Sequence, residues 1–190
     1  TKVAAGLALA IAVNGNLKAR GHLRVVFFMP VVLTPVIVSY IWKYIFSNEG
    51  TLNTLLGAVG LGPYQWLGDP QLALLSVIIV TSWQSVGLSM VIFLAGLQAV
   101  PPELHEAAVI DGANALQRFR NVTLPMLAPA MTVCVVIALI QGLRFFDQIY
   151  ALTRGGPGYA TETLSTMIYR ISFQFGEFSY GSAVAMVFSI

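Results

Sequence analysis

The chain has 190 residues, of which 57% are hydrophobic and only 9% charged, with a net charge of +2 and a mean hydropathy of +0.78. A soluble domain carries about 25% charged residues, so this chain cannot cover itself with a hydrated surface, and lipid is its expected solvent. No basic run is interleaved with aromatics, which argues against a nucleic-acid partner, and the single cysteine, Cys134, excludes an intramolecular disulfide.

A helix crosses roughly 30 Å of hydrocarbon with about 20 mostly apolar residues. The first apolar piece, Val3 to Val13, is too short for that, and no cleavage-like site follows it as a secretory leader requires. It is expected to be half of a spanning helix cut by the limits of the chain, as is Gly181 to Ile190 at the other end, so that the chain reads as a fragment. The loop from Asn14 to Arg24 carries Lys18, Arg20 and Arg24 and no acid. Val25 to Phe46 is long enough to span, with Lys43 as its only charge; Pro30 and Pro35 interrupt it, but neighbouring helices in a bundle satisfy the carbonyls that proline frees. One helix is predicted near 25–46.

Ser47 to Gln71 is glycine-rich and carries Glu49 and Asp69 without a base. Its "GAVGLG" at 57–62 lacks the lysine and the strand of a phosphate loop, and no nucleotide-binding motif of that kind occurs elsewhere. Leu72 to Val100 has no charge at all, and a second spanning helix is predicted near 72–99. Inside it Trp83, Gln84 and Ser85 offer a ring and hydrogen-bonding groups where polar residues are costly.

Pro101 and Pro102 then stop the helix and suit the first turn of another. Glu103 and Glu106 fall near its start, where carboxylates favour the positive end of the helix dipole. The helix is predicted to run to about Asp111, with Gly112 free to take the left-handed conformation that ends it. A second short helix follows from roughly Asn114 to Asn121. Ala107 and Ala108 are small enough to let another backbone come close. His105 reads as a solvated flank; with only two histidines, no metal site is expected. The segment is a two-helix knob at the membrane surface.

Pro125 to Leu143 is the third span, and a helix is predicted over 126–150. At its end Gln141, Arg144, Asp147 and Gln148 recur at helical spacing, and Arg144 and Asp147, three apart, can pair on one face. Gln141, Arg144 and Phe145 offer planar hydrogen-bonding groups and an aromatic face, which suit the lining of a substrate path. The alternative is an interfacial anchor or a structural ion pair. The same two readings apply to Trp83 and Gln84.

Loops rich in Lys and Arg lie on the cytoplasmic side. The 14–24 and 101–124 loops together hold five basic residues (Lys18, Arg20, Arg24, Arg118, Arg120), against Arg154 and Arg170 on the other side. Counting Lys43 and Arg144 with the outer face narrows this to five against four. The 14–24 and 101–124 loops are therefore expected to face the cytoplasm.

Glu106-Ala107-Ala108, then Gly112 after three residues, then Val122-Thr123-Leu124-Pro125 after nine more, resembles the EAA loop of importer permeases of the ATP-binding cassette class. Only Val122 departs from that pattern, standing where isoleucine is usual. "PPELHEAAVIDGA" at 101–113 and "FDQIYALTRGGPGYAT" at 146–161 resemble the carbohydrate-uptake branch, the latter its maltose-type first permease subunit. The resemblance covers nearly the whole chain. It implies an all-α polytopic transmembrane bundle of the type I importer kind, with residues 1–190 as a single permease domain in a bacterial or archaeal cytoplasmic membrane. The implied partners are a second permease subunit, two ATP-binding cassette ATPases, an extracytoplasmic sugar-binding protein and a sugar substrate. ATP hydrolysis would then sit on separate subunits, with no enzyme activity and no cofactor here. Glu103, Glu106, Ala107, Ala108, Asp111 and Gly112 would be the contact and bend positions for the ATPase.

A membrane enzyme would need paired His, Cys or carboxylates on one helix, and none occur. A channel or structural membrane protein would not need the knob. An importer permease for another solute is the remaining alternative, and the Gly-Gly-Pro segment favours sugar.

Overall fold

The computed structural model describes residues 2–15 and 20–189; Lys18 lies outside them. Its helices in chain order are α1 (Lys2–Asn14), α2 (Arg20–Val32), α3 (Pro35–Ile45), α4 (Thr51–Ala58), α5 (Pro70–Gln98), α6 (Pro102–Ile110), α7 (Ala115–Arg118), α8 (Leu124–Met126), α9 (Ala128–Leu143), α10 (Asp147–Leu152), α11 (Leu164–Tyr169) and α12 (Phe178–Ser189). Wide π-type turns occupy Phe119–Thr123 and Arg170–Gln174. No strand occurs among the described residues. The chain is all-α, as expected.

At 1.5 Å per residue the 29 residues of α5 extend about 43 Å, ample for the hydrocarbon layer. Among the described residues it is the one helix long and apolar enough to cross alone, and there are up to three spans if α2 with α3, and α7–α8 with α9, each make a broken one. The break after α2 departs from the continuous helix predicted near 25–46, and α9, ending at Leu143, falls short of the helix predicted over 126–150. Thr34 precedes Pro35 and is extended (φ −66°, ψ 141°), because a proline ring crowds the helical conformation of the residue before it. Pro30, by contrast, is absorbed inside α2. The α7–α8 stretch and α9 meet at an angle of 63°, next to Leu127 and Pro129.

The described residues form two compact units. The first comprises residues 1–32 and 82–140. Its core is Ala10, Val13, Met90, Phe93, Leu94 and Cys134, the lone cysteine serving as a buried packing residue. Small residues let the backbones approach: a side chain on Gly6 would run into Ser89, and one on Gly87 into the carbonyl of Phe27.

The second unit comprises residues 33–81 and 141–190. Val38, Phe46, Val80 and Leu152 form its core, with Trp42, Trp66 and Leu67 packed around them. α3 lies against α10, where the fully buried Ser39 hydroxyl lies 2.8 Å from the Pro35 carbonyl and 3.3 Å from that of Gln148. The loop after α3 is tied down by Asn53, which is 5% exposed. Its amide nitrogen reaches the carbonyls of Ser47, Asn48 and Tyr64, and its oxygen accepts from Tyr64 N–H and Trp66 Nε1–H.

Candidate functional site

The knob between α5 and α9 is the first candidate site, and it belongs to the first unit. Pro101, extended as the cap residue, and Pro102 at the first helical position start α6. Its end is a Schellman closure: Gly112 N–H donates to Val109 O (3.0 Å) and Ala113 N–H to Ala108 O (2.9 Å), with Gly112 at φ +76°. Asn114 then caps α7, its side chain accepting from Gln117 N–H while Gln117 accepts from Asn114 N–H. The structure thus has the helix, bend and second helix where the residues predicted them. The second helix differs only in continuing through the π-type turn into α8.

α6 buries none of its residues. Glu103, Glu106, Ala107, Asp111 and Gly112 are exposed and Ala108 is half-buried. Ile110 is 86% exposed and Leu116 74%, an apolar display that normally marks a docking surface. Glu106 and His105 face Arg118, Phe119 and Thr123 across a hollow of about 450 Å³. Among the described residues no cluster of metal-ligating side chains occurs.

The substrate-path candidates fall in different places. Trp83 and Gln84 sit in the part of α5 that belongs to the first unit, Trp83 exposed and Gln84 buried. Gln141, Arg144 and Phe145 belong to the second unit. Gln141 is half-buried in the last turn of α9, while Arg144 is exposed just beyond its end. The helical spacing expected from Gln141 to Gln148 is interrupted, because α9 stops at Leu143 and α10 begins at Asp147. Arg144 and Asp147 consequently do not pair, which corrects the expected ion pair. Asp147 instead occupies the first turn of α10, where a carboxylate suits the helix dipole.

Residues about twenty positions further on support this break. Ser165 Oγ donates to Leu143 O (3.2 Å) and Thr163 Oγ1 to Phe145 O (3.0 Å), satisfying carbonyls that the end of a helix leaves open. Thr163 also caps α11 together with Thr166. Neither threonine nor Ser165 was singled out in the sequence; the cap-like spacing of Thr163 and Thr166 was the available signal.

Between them runs the Gly-Gly-Pro loop, where Arg154 (φ 53°), Gly155 (85°), Gly158 (56°) and Tyr159 (63°) are left-handed. The buried Thr161 hydroxyl is 2.8 Å from Gly156 O and 2.7 Å from the Thr153 hydroxyl. Glu162 pairs with Arg170 at 3.1 Å, and the Arg170 guanidinium lies 4.1 Å from the centre of the Tyr159 ring. Phe146, Tyr150 and Tyr169 pack ring to ring at 5.0–5.3 Å. The shared hydrogen bond with Tyr150 raises the Tyr169 hydroxyl above its ordinary pKa. The loop is held from both ends.

Comparison with known proteins gives concordant results. The family model described as "Binding-protein-dependent transport system inner membrane component" matches residues 2–190. The trehalose/maltose transport system permease protein MalF of Thermococcus litoralis is 37% identical over 183 residues, a match covering 96% of this chain and 62% of that protein. The probable ABC transporter permease protein YurN of Bacillus subtilis is 40% identical, with 98% and 65% covered. Among solved structures, a bacterial ABC transporter involved in import of the acidic polysaccharide alginate superposes with a TM-score of 0.84 at 27% identity, covering 96% of this chain and 65% of that one. This chain thus spans a little under two thirds of the length of these proteins.

Proposed function

Because this chain belongs to the family of binding-protein-dependent transport system inner membrane components, we propose that it is a membrane-spanning permease subunit of an ATP-driven sugar importer. The observation that carries this is the knob: α6, with no buried residue, is stopped by the left-handed Gly112 and presents Glu103, Glu106, Ala107, Ala108 and Asp111 outward. Such a helix has no reason to stand off the bundle unless something else covers it. Its partner is an ATPase subunit, one of two, each engaging a permease. ATP is hydrolysed there, and closure of the ATPases moves the knob. The excess of Lys and Arg supports a cytoplasmic position for the knob and the 14–24 loop.

The sugar comes from an extracytoplasmic binding protein and passes between this chain and a second permease. Alternating access needs a polar path near mid-membrane, for which Gln141, Arg144, Phe145, Trp83 and Gln84 are the candidates. Sugar as the solute is supported by the Gly-Gly-Pro segment and by the sugars named for its relatives. The test is reconstitution of the natural protein with its partner subunits in proteoliposomes, with a panel of labelled sugars and non-sugar solutes supplied on its binding protein. ATP-dependent sugar uptake is expected. Uptake of a non-sugar solute alone would refute the sugar reading, and ATP-independent leakage would refute the importer reading.

A further inference from the structure

Beside the last turn of α3, within the second unit, lies a hollow of about 350 Å³ lined by Lys43, Phe46, Asn48, Gln65, Trp66 and Gly68, among others. That volume is in the range of small-molecule sites, about 300–1,000 Å³. Its walls are firm. The five hydrogen bonds of Asn53 fix the 47–48 and 64–66 strips to each other. The Trp66 ring is stacked on the buried Phe46 at 5.8 Å, with Tyr64 edge-on against it at 5.8 Å.

The polar groups of the lip are unbalanced. Backbone acceptors nearby are in use: Asn53 takes the Ser47 and Asn48 carbonyls, and Ser47 takes that of Tyr44. The donors are not. Among the described residues Lys43 forms no ion pair, and the carboxamides of Asn48 and Gln65 have no hydrogen-bond partner. Of the two acids that flank the lining in sequence, Asp69 is occupied at the start of α5, accepting from the N–H groups of Gln71 and Leu72, and Glu49, next to Asn48, is not part of the lining. A firm hollow with an aromatic wall, two carboxamides and one unpaired ammonium fits a small ring that carries hydroxyls and one negative charge.

We propose that this hollow is a binding site for a sugar acid, a hexuronate unit, distinct from the residues assigned to the transport path. The preference for a sugar acid over another organic anion rests on the sugar-importer reading. Lys43 supplies the charge-assisted hydrogen bond to the carboxylate, Asn48 and Gln65 meet ring hydroxyls, and the indole of Trp66 offers its face.

Gly68 provides a mild perturbation. A side-chain carbon there would come within 2.9 Å of Gln65 Oε1, the movable end of a flexible side chain, so Gly68→Ala displaces that amide and leaves the backbone in place. The experiment measures equilibrium binding of labelled glucuronate to the natural permease assembled with its partner subunits in nanodiscs, with glucose and acetate as competitors and sugar uptake followed in parallel. Saturable, salt-sensitive glucuronate binding is expected, weakened roughly tenfold or more by Lys43→Met, several-fold by Gly68→Ala, and unchanged by Gln141→Ala. Absence of saturable binding, or indifference to Lys43→Met, overturns the site. Equal competition by glucose overturns the anionic assignment, and equal competition by acetate overturns the sugar assignment. Binding lost with Gln141→Ala but kept with Lys43→Met places the ligand in the transport path and also overturns the proposal. Sugar uptake that persists while glucuronate fails to bind counts against the hollow alone; failure of all sugar uptake counts against the importer reading.

Discussion

Replacing Gly112 separates the bend of the knob from its surface. The residue is at φ +76° and is fully part of the Schellman closure of α6, yet a side chain added there meets no atom within 4 Å. Gly112→Ala therefore introduces no clash, only the cost of a left-handed L-residue, about 1–2 kcal/mol, which lowers the ratio of correctly bent to unbent knob by roughly 5–30-fold. Asparagine tolerates this conformation better, so Gly112→Asn should stay near the natural activity. Gly112→Pro fixes φ near −65° and deletes the N–H that Val109 O receives, costing about 3 kcal/mol or more, over a hundredfold. The assay is ATP-driven uptake and ATPase rate in proteoliposomes, with co-purification of the second permease as the check on assembly. The expected order of uptake is Gly, Asn, Ala, Pro, with assembly intact throughout. If Asn and Ala are equally damaging while the Schellman closure persists, the glycine serves close approach of a partner surface and the bend argument is wrong. Loss of membrane insertion in the Pro variant would make the segment structural.

Gln141→Ala should reduce uptake several-fold, in line with about 1–3 kcal/mol for a lost buried partner, and leave basal ATPase activity intact; normal transport would remove Gln141 from the sugar path. Gly87→Ala drives a methyl into the Phe27 carbonyl and should cost about 1–3 kcal/mol by overpacking, read as a lower thermal midpoint, whereas Gly142→Ala, with nothing within 4 Å, should be neutral or slightly stabilising; similar midpoints for the two would contradict the close approach of α2 to α5. Asn53→Ala should release the 47–66 strip, with the Tyr64 amide exchanging faster by hydrogen exchange because it loses its acceptor; unchanged protection would show that the backbone holds the strip without Asn53.

The parts of the fold that the residues announced are those governed by neighbours in sequence. Pro101-Pro102, the carboxylates after them and Gly112 each act within one helical turn, so the knob was legible in outline. Hydropathy likewise marked α5, where no competing signal exists. Periodicity misled at the other spans. Apolar residues continue across Thr34, and Gln141, Arg144, Asp147 and Gln148 keep a helical spacing across 144–146, so the sequence reads on as helix, while the backbone yields to Pro35 in one case and to side chains of Thr163 and Ser165 in the other. Those two hydroxyls act 18 and 22 residues away from the carbonyls they satisfy. Asn53 is similar, an ordinary asparagine in a glycine-rich loop until Tyr64 and Trp66 are brought to it. The candidate hollow beside Lys43 therefore could not be read from composition.

The π-type turn at Phe119–Thr123, closed by Leu124 N–H on Phe119 O, bears on length variation. Such a turn holds one residue more than an α-helical turn, and one residue is about 100° of rotation on a regular helix. Everything downstream, from Leu124 through α9, is thus clocked by that additional residue relative to α7. The nine positions between Gly112 and Val122 then act as a gear setting as well as a spacer. A chain shortened by one residue within 119–121 would keep every motif residue and still turn a different face of α9 toward the core that holds Cys134. Single-residue deletions here should be far more damaging than substitutions at the same exposed positions, Arg120 and Asn121.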